Sequence, residues 1–167
     1  RGILIKNGEA LERGQKIDVI VFDKTGTLTE GRPKVTVVLA CKPGIGEDEV
    51  LRVAASLEQL SEHPLAQAIL AAAREKDLRL ERARGFASVA GKGVRGTLGA
   101  GTTLVGSPRL LREEGVPLDP HLAEIENLET SAQTVVAVAR DGNLIGLIGV
   151  ADTLKQDAKI AIERLHA

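Results

Sequence analysis

The chain alternates short apolar runs with longer stretches of helical spacing, and each predicts an element. Residues 19–22 are an unbroken apolar run that stops at Asp23, which predicts a short buried strand. Strands apolar on both faces suit a parallel sheet covered by helices, and such sheets bind ligands beyond the carboxyl ends of their strands. Asp23 stands at that end. Upstream, residues 3–5 predict a strand or lead-in, Asn7-Gly8 a turn and residues 9–13 a weak helix. Downstream, residues 35–40 predict a strand and residues 42–46, rich in Gly and Pro, a loop. A helix then starts at Glu47 or Asp48, with Val50, Val53, Ala54, Leu57 and Leu60 on one face. Residues 61–66 break it and start another helix at Pro64, which runs to about Lys76 and buries Leu65, Ala68, Ile69 and Ala72.

Residues 83–106 change to strand-like runs at 86–89, 94–98 and 102–105, joined by glycine turns. Ser107-Pro108 starts a helix that ends near Gly115, and Asp119-Pro120 starts another with Leu122, Ile125 and Leu128 inward. Residues 133–140 and 143–150 flank Asp141-Gly142, a strong hairpin signal. Asp152 is expected to cap a last helix over about 155–165, with Ala158, Ala161, Ile162 and Leu165 inward. This order is that of an α+β insert between two pieces of an α/β domain.

Composition narrows the chemistry. A length of 167 residues is enough for one domain, or a small domain plus part of another. The net charge of −1 offers no electrostatic case for nucleic acid or anionic membrane. With two Phe and no Trp or Tyr, the core must be Leu, Ile, Val and Ala, and no stacking platform for single strands exists. The one cysteine, Cys41, excludes an internal disulfide framework and fits a reducing compartment. No apolar run approaches the roughly 18–20 residues that span a bilayer, so a soluble piece is expected. His63, His121 and His166 have no metal-ligand spacing.

At Asp23 the pattern becomes chemical. Lys24 adds positive charge, Gly26 lets a ligand approach the backbone, and Thr25 and Thr27 offer hydroxyls and N–H groups. This is a seat for a phosphoryl group and a metal ion with Asp23 as nucleophile, the plain alternative being a solvated turn that Asp23 caps. Gly91 to Gly96 matches G-x-G-x-x-G, but β-like residues follow where a dinucleotide fingerprint needs a helix. A tight turn is the plain reading; Gly91 and Gly93 would also let a nucleotide meet bare backbone. His63 sits at a helix start, where it either caps the helix or faces a ligand.

Asp23-Lys24-Thr25-Gly26-Thr27-Leu28-Thr29-Glu30-Gly31 resembles the phosphorylation motif of the P-type ATPases. Ser61-Glu62-His63-Pro64-Leu65-Ala66 resembles the His-Pro motif in the nucleotide-binding domain of their heavy-metal-transporting P1B class. Glu58, Gly91 and Gly93 match the other adenine-site positions of that class; Ser107 stands where it often has Asn. Asp152-Thr153-Leu154-Lys155 resembles the re-entry into the phosphorylation domain, near the hinge and the phosphates. The start of the chain, with Ser61-Glu62, looks more like copper pumps than zinc or cadmium pumps.

The resemblance implies haloacid-dehalogenase-like α/β phosphorylation-domain pieces at 1–34 and 151–167, flanking an inserted α+β nucleotide-binding domain at 35–150 with an antiparallel sheet and helices. It implies ATP and Mg²⁺ as cofactors: Asp23 attacks the γ-phosphate, Lys24 offsets charge, the Asp23 carboxylate and Thr25 carbonyl hold the metal, and Glu58, His63, Gly91, Gly93 and Ser107 hold the adenosine of ATP or ADP. Expected partners are the membrane, actuator and metal-binding domains of a parent pump, with the present piece monomeric and cytosolic. The Thr-Gly-Asp and Gly-Asp-Gly motifs of the family do not occur here, so little steady-state ATPase turnover is expected. A soluble phosphatase of the dehalogenase type and a non-catalytic nucleotide-binding module are the competing readings. Thr25 counts against the former, whose members carry a second Asp there.

Overall fold

The computed structural model describes residues 8–9 and 17–166. The expected strand at 3–5 and most of the expected helix at 9–13 lie outside the described residues. After a π-helical turn, Lys24–Leu28, the strands are β1 (Thr29–Ala40), β2 (Arg84–Val89), β3 (Gly93–Leu98), β4 (Gly101–Gly106), β5 (Thr134–Arg140) and β6 (Asn143–Leu154). The helices are α1 (Glu47–Glu58), α2 (Pro64–Glu75), α3 (Pro108–Glu113), α4 (Leu122–Thr130) and α5 (Ala158–His166), with a 3-10 turn at Asp119–His121.

The strands form one sheet in the order β1-β6-β5-β4-β3-β2, every pair antiparallel. Successive side chains on a strand point to opposite faces, and here both faces are covered. Val136, Val138, Ile148 and Val150 pack with Val50, Val53, Leu57 and Ile69 of α1 and α2. Val135, Ala137, Ala139 and Leu147 pack with Leu110, Leu111, Ile125 and Leu128 of α3 and α4. The result is three layers, helix, sheet and helix, which is why β5 and β6 are apolar on both sides. Asp141 and Gly142 both take positive φ (51° and 74°), the conformation that the tight β5–β6 turn demands. Gly146 lies under Val50, where a Cβ would meet that side chain, so its bareness lets α1 sit close on β6.

Several expectations are corrected. Residues 19–22 form no strand: Val19 and Val21 are 77% and 90% exposed, because no described strand pairs with them. Leu60 lies beyond the end of α1 at Glu58 and is exposed, as is Leu122 at the first position of α4. Asp152 is not a helix cap but a residue of β6, and α5 begins only at Ala158. The reason is that β1 and β6 run on together past position 150, and the Asp152 carboxylate is occupied by β1. Of the residues expected inward on α5, Ala158 is buried, Ile162 half-buried, and Ala161 and Leu165 exposed. The positions 34/35 and 150/151 both fall inside the β1–β6 ladder, next to its irregularities between Thr29 and Pro33 and between Val35 and Val37.

Candidate functional site

One cavity of about 270 Å³ opens where the end of α1, the start of α2, the β2–β3 turn and the β4–α3 junction meet. Pro64 opens α2 with a fixed φ and no N–H to satisfy. It follows His63, whose Nδ1 accepts the Leu65 N–H at 3.2 Å. The ring is thereby fixed as a helix cap with its Nε2 edge left over, and it lies on the cavity wall. The two readings of His63, cap or ligand residue, are thus compatible in one side chain.

Glu58 closes α1 and also lines the cavity, only 7% exposed. Burial pushes its carboxyl above the usual range, and a hydrogen bond from Ser61 opposes the shift. The Ser61 Oγ also accepts the His63 N–H at 3.4 Å, so one hydroxyl touches both groups. The raised carboxyl has a consequence for stability. The folded state keeps the Glu58 proton over a pH range in which the unfolded chain has lost it. Stability is therefore lost as pH rises from the ordinary carboxylate range through the folded-state value. Glu58→Gln is expected to melt above wild type at neutral pH, with the gap closing in mild acid. Thermal melts across pH check this; parallel curves for the two proteins would refute it.

The β2–β3 turn carries the glycines. Lys92 N donates to Val89 O at 2.9 Å, and Gly91 takes φ 68° as the third residue of that turn. A Cβ on Gly91 would meet nothing within 4 Å, so its bare backbone faces open space on the cavity wall. Gly93 is different. A Cβ there would strike the Val105 carbonyl oxygen, Gly106 Cα and Leu110 Cδ2. Its bareness is required by the pairing of Gly93 with Gly106 across β3 and β4, although it too lines the cavity. Ser107 also lies on the wall, and its Oγ accepts the Leu110 N–H at 3.2 Å, so it caps α3.

The fold thus brings Glu58, His63, Gly91, Gly93 and Ser107 to one place from four separate stretches of chain. Sequence reasoning missed Ser61, Ser88, Lys92, Gly106 and Thr134, which also line it. Lys92, lodged between the two glycines, carried a signal; Ser88 and Thr134 carried none, because only strand register aims them there.

Asp23 is not on the cavity wall. It is exposed at the head of the π-helical turn, in which Gly26 takes φ 78°. That turn is clasped by the far end of the chain. Lys155 Nζ donates to Gly26 O at 2.7 Å and Lys155 N to Leu28 O at 2.9 Å. Thr29 Oγ1 accepts from Gly26 N at 3.2 Å and donates to Asp152 Oδ2 at 2.5 Å, while Asp152 Oδ1 accepts from Arg32 N at 3.0 Å. Asp152 and Lys155 therefore act on the turn after Asp23 and the start of β1, across separations of 120 and 129 residues. Among the described residues no three His, Cys, Asp or Glu side chains converge as a metal site. The Asp23 carboxylate and a Thr25 carbonyl fall short of the near-octahedral oxygen set of Mg²⁺, so the donors here do not complete its site. Cys41 is a free thiol pushed up to about 11, first by burial and then by the charge of Glu124, which leaves it unreactive.

Residues 17–167 match the family described as haloacid dehalogenase-like hydrolase. The chain belongs to that family. Within the dehalogenase-like hydrolases its relatives are P-type ATPases. It is 47% identical over 167 residues to a Mycobacterium tuberculosis protein named "probable copper-exporting P-type ATPase V", a match covering 99% of this chain and 22% of that protein. A zinc-transporting PIB-type ATPase solved in an E2.Pi state superposes with a TM-score of 0.76 at 38% identity, over 87% of this chain and 23% of that one. The catalytic domain of the CPx-ATPase CopB-B superposes with a TM-score of 0.71 at 30% identity, over 97% of this chain and 55% of that one. This dehalogenase-like chain spans about a fifth of the length of the curated relatives it matches. Its fold class is as the sequence predicts: a nucleotide-binding-domain sheet with helices, flanked by phosphorylation-domain parts. Among the described residues no helix is long and apolar enough to cross a membrane.

Proposed function

We propose that the chain is the nucleotide-binding domain, with adjoining parts of the phosphorylation domain, of a P-type ATPase that exports a heavy metal ion, Cu(I) by preference. The observation that carries this reading is the cavity: a buried acid, a histidine edge and bare glycine backbone converge on a space whose lining also includes Leu65, Val89, Val94, Val135 and Val136. Such a mostly apolar cleft with a few placed polar groups suits a purine. The Glu58 carboxylate and His63 Nε2 would take the base, and the Gly91 backbone the sugar. We assign 35–150 to the nucleotide domain, 1–34 and 151–167 to the phosphorylation domain, and the β1–β6 ladder to the junction between them.

In the parent pump, Asp23 would attack the γ-phosphorus of ATP in line, forming a carboxyl–phosphate bond and releasing ADP. Asp23 lies off the cavity wall, so the nucleotide domain must swing its phosphates to the turn that Lys155 and Asp152 clasp. Thr25 follows Asp23 where a dehalogenase-type phosphatase has a proton-accepting Asp, so the adduct would persist long enough to drive transport. The preference for Cu(I) rests on the copper exporter from Mycobacterium tuberculosis; the 38% identity to a zinc transporter supports the second reading, a zinc or cadmium pump. ATP, ADP and Mg²⁺ are the small partners, and the membrane, actuator and metal-binding domains of the pump the large ones. The site is then on the cytosolic side of a membrane.

His63→Gln is expected to weaken ADP binding about tenfold, the loss of one central contact worth roughly 1.4 kcal/mol. The amide can still accept the Leu65 N–H, so the helix cap survives. Calorimetric titration of both proteins checks it, and equal affinities would remove His63 from the site.

A further inference from the structure

Glu58 is the one acidic residue on the wall, and Lys92 is the sole lysine or arginine among the described lining residues. The lysine that a polyphosphate could pair with on this wall is therefore Lys92. The backbone of Lys92 is rigid: its N–H bonds Val89 O at 2.9 Å, and its carbonyl accepts the Ser107 N–H at 2.8 Å. Its side chain is not committed to the core. It extends to Glu113 of α3, with Nζ to Oε2 at 2.5 Å and the two side chains 38% and 40% exposed. Glu113 also accepts from Arg109 Nε at 2.9 Å, so it keeps a cationic partner if Lys92 departs. An exposed pair of this kind contributes about 0–1 kcal/mol, which a phosphate of higher charge can outbid.

We infer that Lys92 is a specificity-determining residue of the cavity, which leaves Glu113 to contact the phosphate chain of a bound nucleoside di- or triphosphate, with Glu113 as its competing partner in the empty site. The inference rests on the nucleotide reading and adds to it which end of the ligand lies where and what selects ADP or ATP over adenosine. No bond is made or broken; one ion pair is exchanged for another.

The test is calorimetric titration of the full 167-residue chain with adenosine, AMP and ADP at low ionic strength. Wild type should bind ADP more tightly than adenosine. In K92Q the ratio of ADP to adenosine affinity should fall about fivefold, K92R should retain it, and E113Q should raise it about twofold, all of these shrinking with added salt. In the double variant K92Q/E113Q the gain from E113Q should vanish. A K92Q ratio equal to wild type, with adenosine still bound, overturns the role of Lys92 and leaves the nucleotide site standing. Failure of wild type to bind adenosine at all overturns both.

Discussion

In a pump of parental length, Asp23→Asn is expected to abolish the acid-stable transfer of phosphate from ATP to protein, a loss of about a thousandfold or more. An amide nitrogen cannot form the carboxyl–phosphate bond. Of the acids that bond to this part of the chain, Glu30 has an oxygen 3.5 Å from Lys34 Nζ, and Asp152 has its two oxygens held by Thr29 and Arg32. The turn that follows Asp23 keeps its shape in the variant, because its bonds run from Gly26, Leu28 and Thr29 to Lys155 and Asp152. Nucleotide affinity should hold as well, since Asp23 is off the cavity wall. Acid-quenched labelling with γ-labelled ATP measures the adduct, and labelling of the variant at the wild-type level would place the nucleophile elsewhere.

Gly93→Ala is expected to cost about 2–3 kcal/mol of stability, against roughly 1 kcal/mol for Gly91→Ala. The two glycines look alike in sequence and sit two positions apart, but they are bare for different reasons. At Gly93 a methyl group would meet Val105 O, Gly106 Cα and Leu110 Cδ2, two of them backbone atoms of the neighbouring strand. Gly106 mirrors it: a Cβ there would meet Lys92 O, Gly93 Cα at 2.8 Å and Leu110 Cδ2 at 2.9 Å. The strands cannot part without breaking the Ser107–Lys92 backbone bond and the β3–β4 ladder. At Gly91 there is room for a methyl group, and the cost is the strain of φ 68° alone. Urea titration separates the two. Equal midpoints for wild type and Gly93→Ala would show that the strands can move apart. Gly91→Ala, still folded, is the variant that should report on the nucleotide.

Most elements were legible from residue pattern. The spacing of Val50, Val53, Ala54 and Leu57 located α1, Pro64 began α2, and Asp141-Gly142 turned the β5–β6 hairpin. The misreadings share a cause. Residues 19–22 and β5 are equally apolar in sequence, yet β5 is buried between two helix layers while 19–22 are exposed. An apolar run states that a segment can be covered, not that a neighbour is there to cover it. Nor does coverage on both faces imply a parallel sheet, since β5 and β6 are antiparallel. Asp152 looked like a cap because Asp before a helix usually is one. Its partners Thr29 and Arg32 lie over 100 residues away, where no local rule can see them.

The chemistry available was already in the sequence: an Asp23 carboxylate before a glycine turn, a His63-Pro64 helix start, and a glycine pair at 91 and 93. These are carried by residue type and short spacing, which the chain states directly. Only the tertiary structure decided that Glu58 and His63 share a wall with Gly91 and Ser107, that Gly93 is bare for Gly106, and that Asp23 stands apart from them all. Cavities, strand contacts and clasps are made by residues distant in sequence, and their geometry exists only once the sheet has brought those residues together.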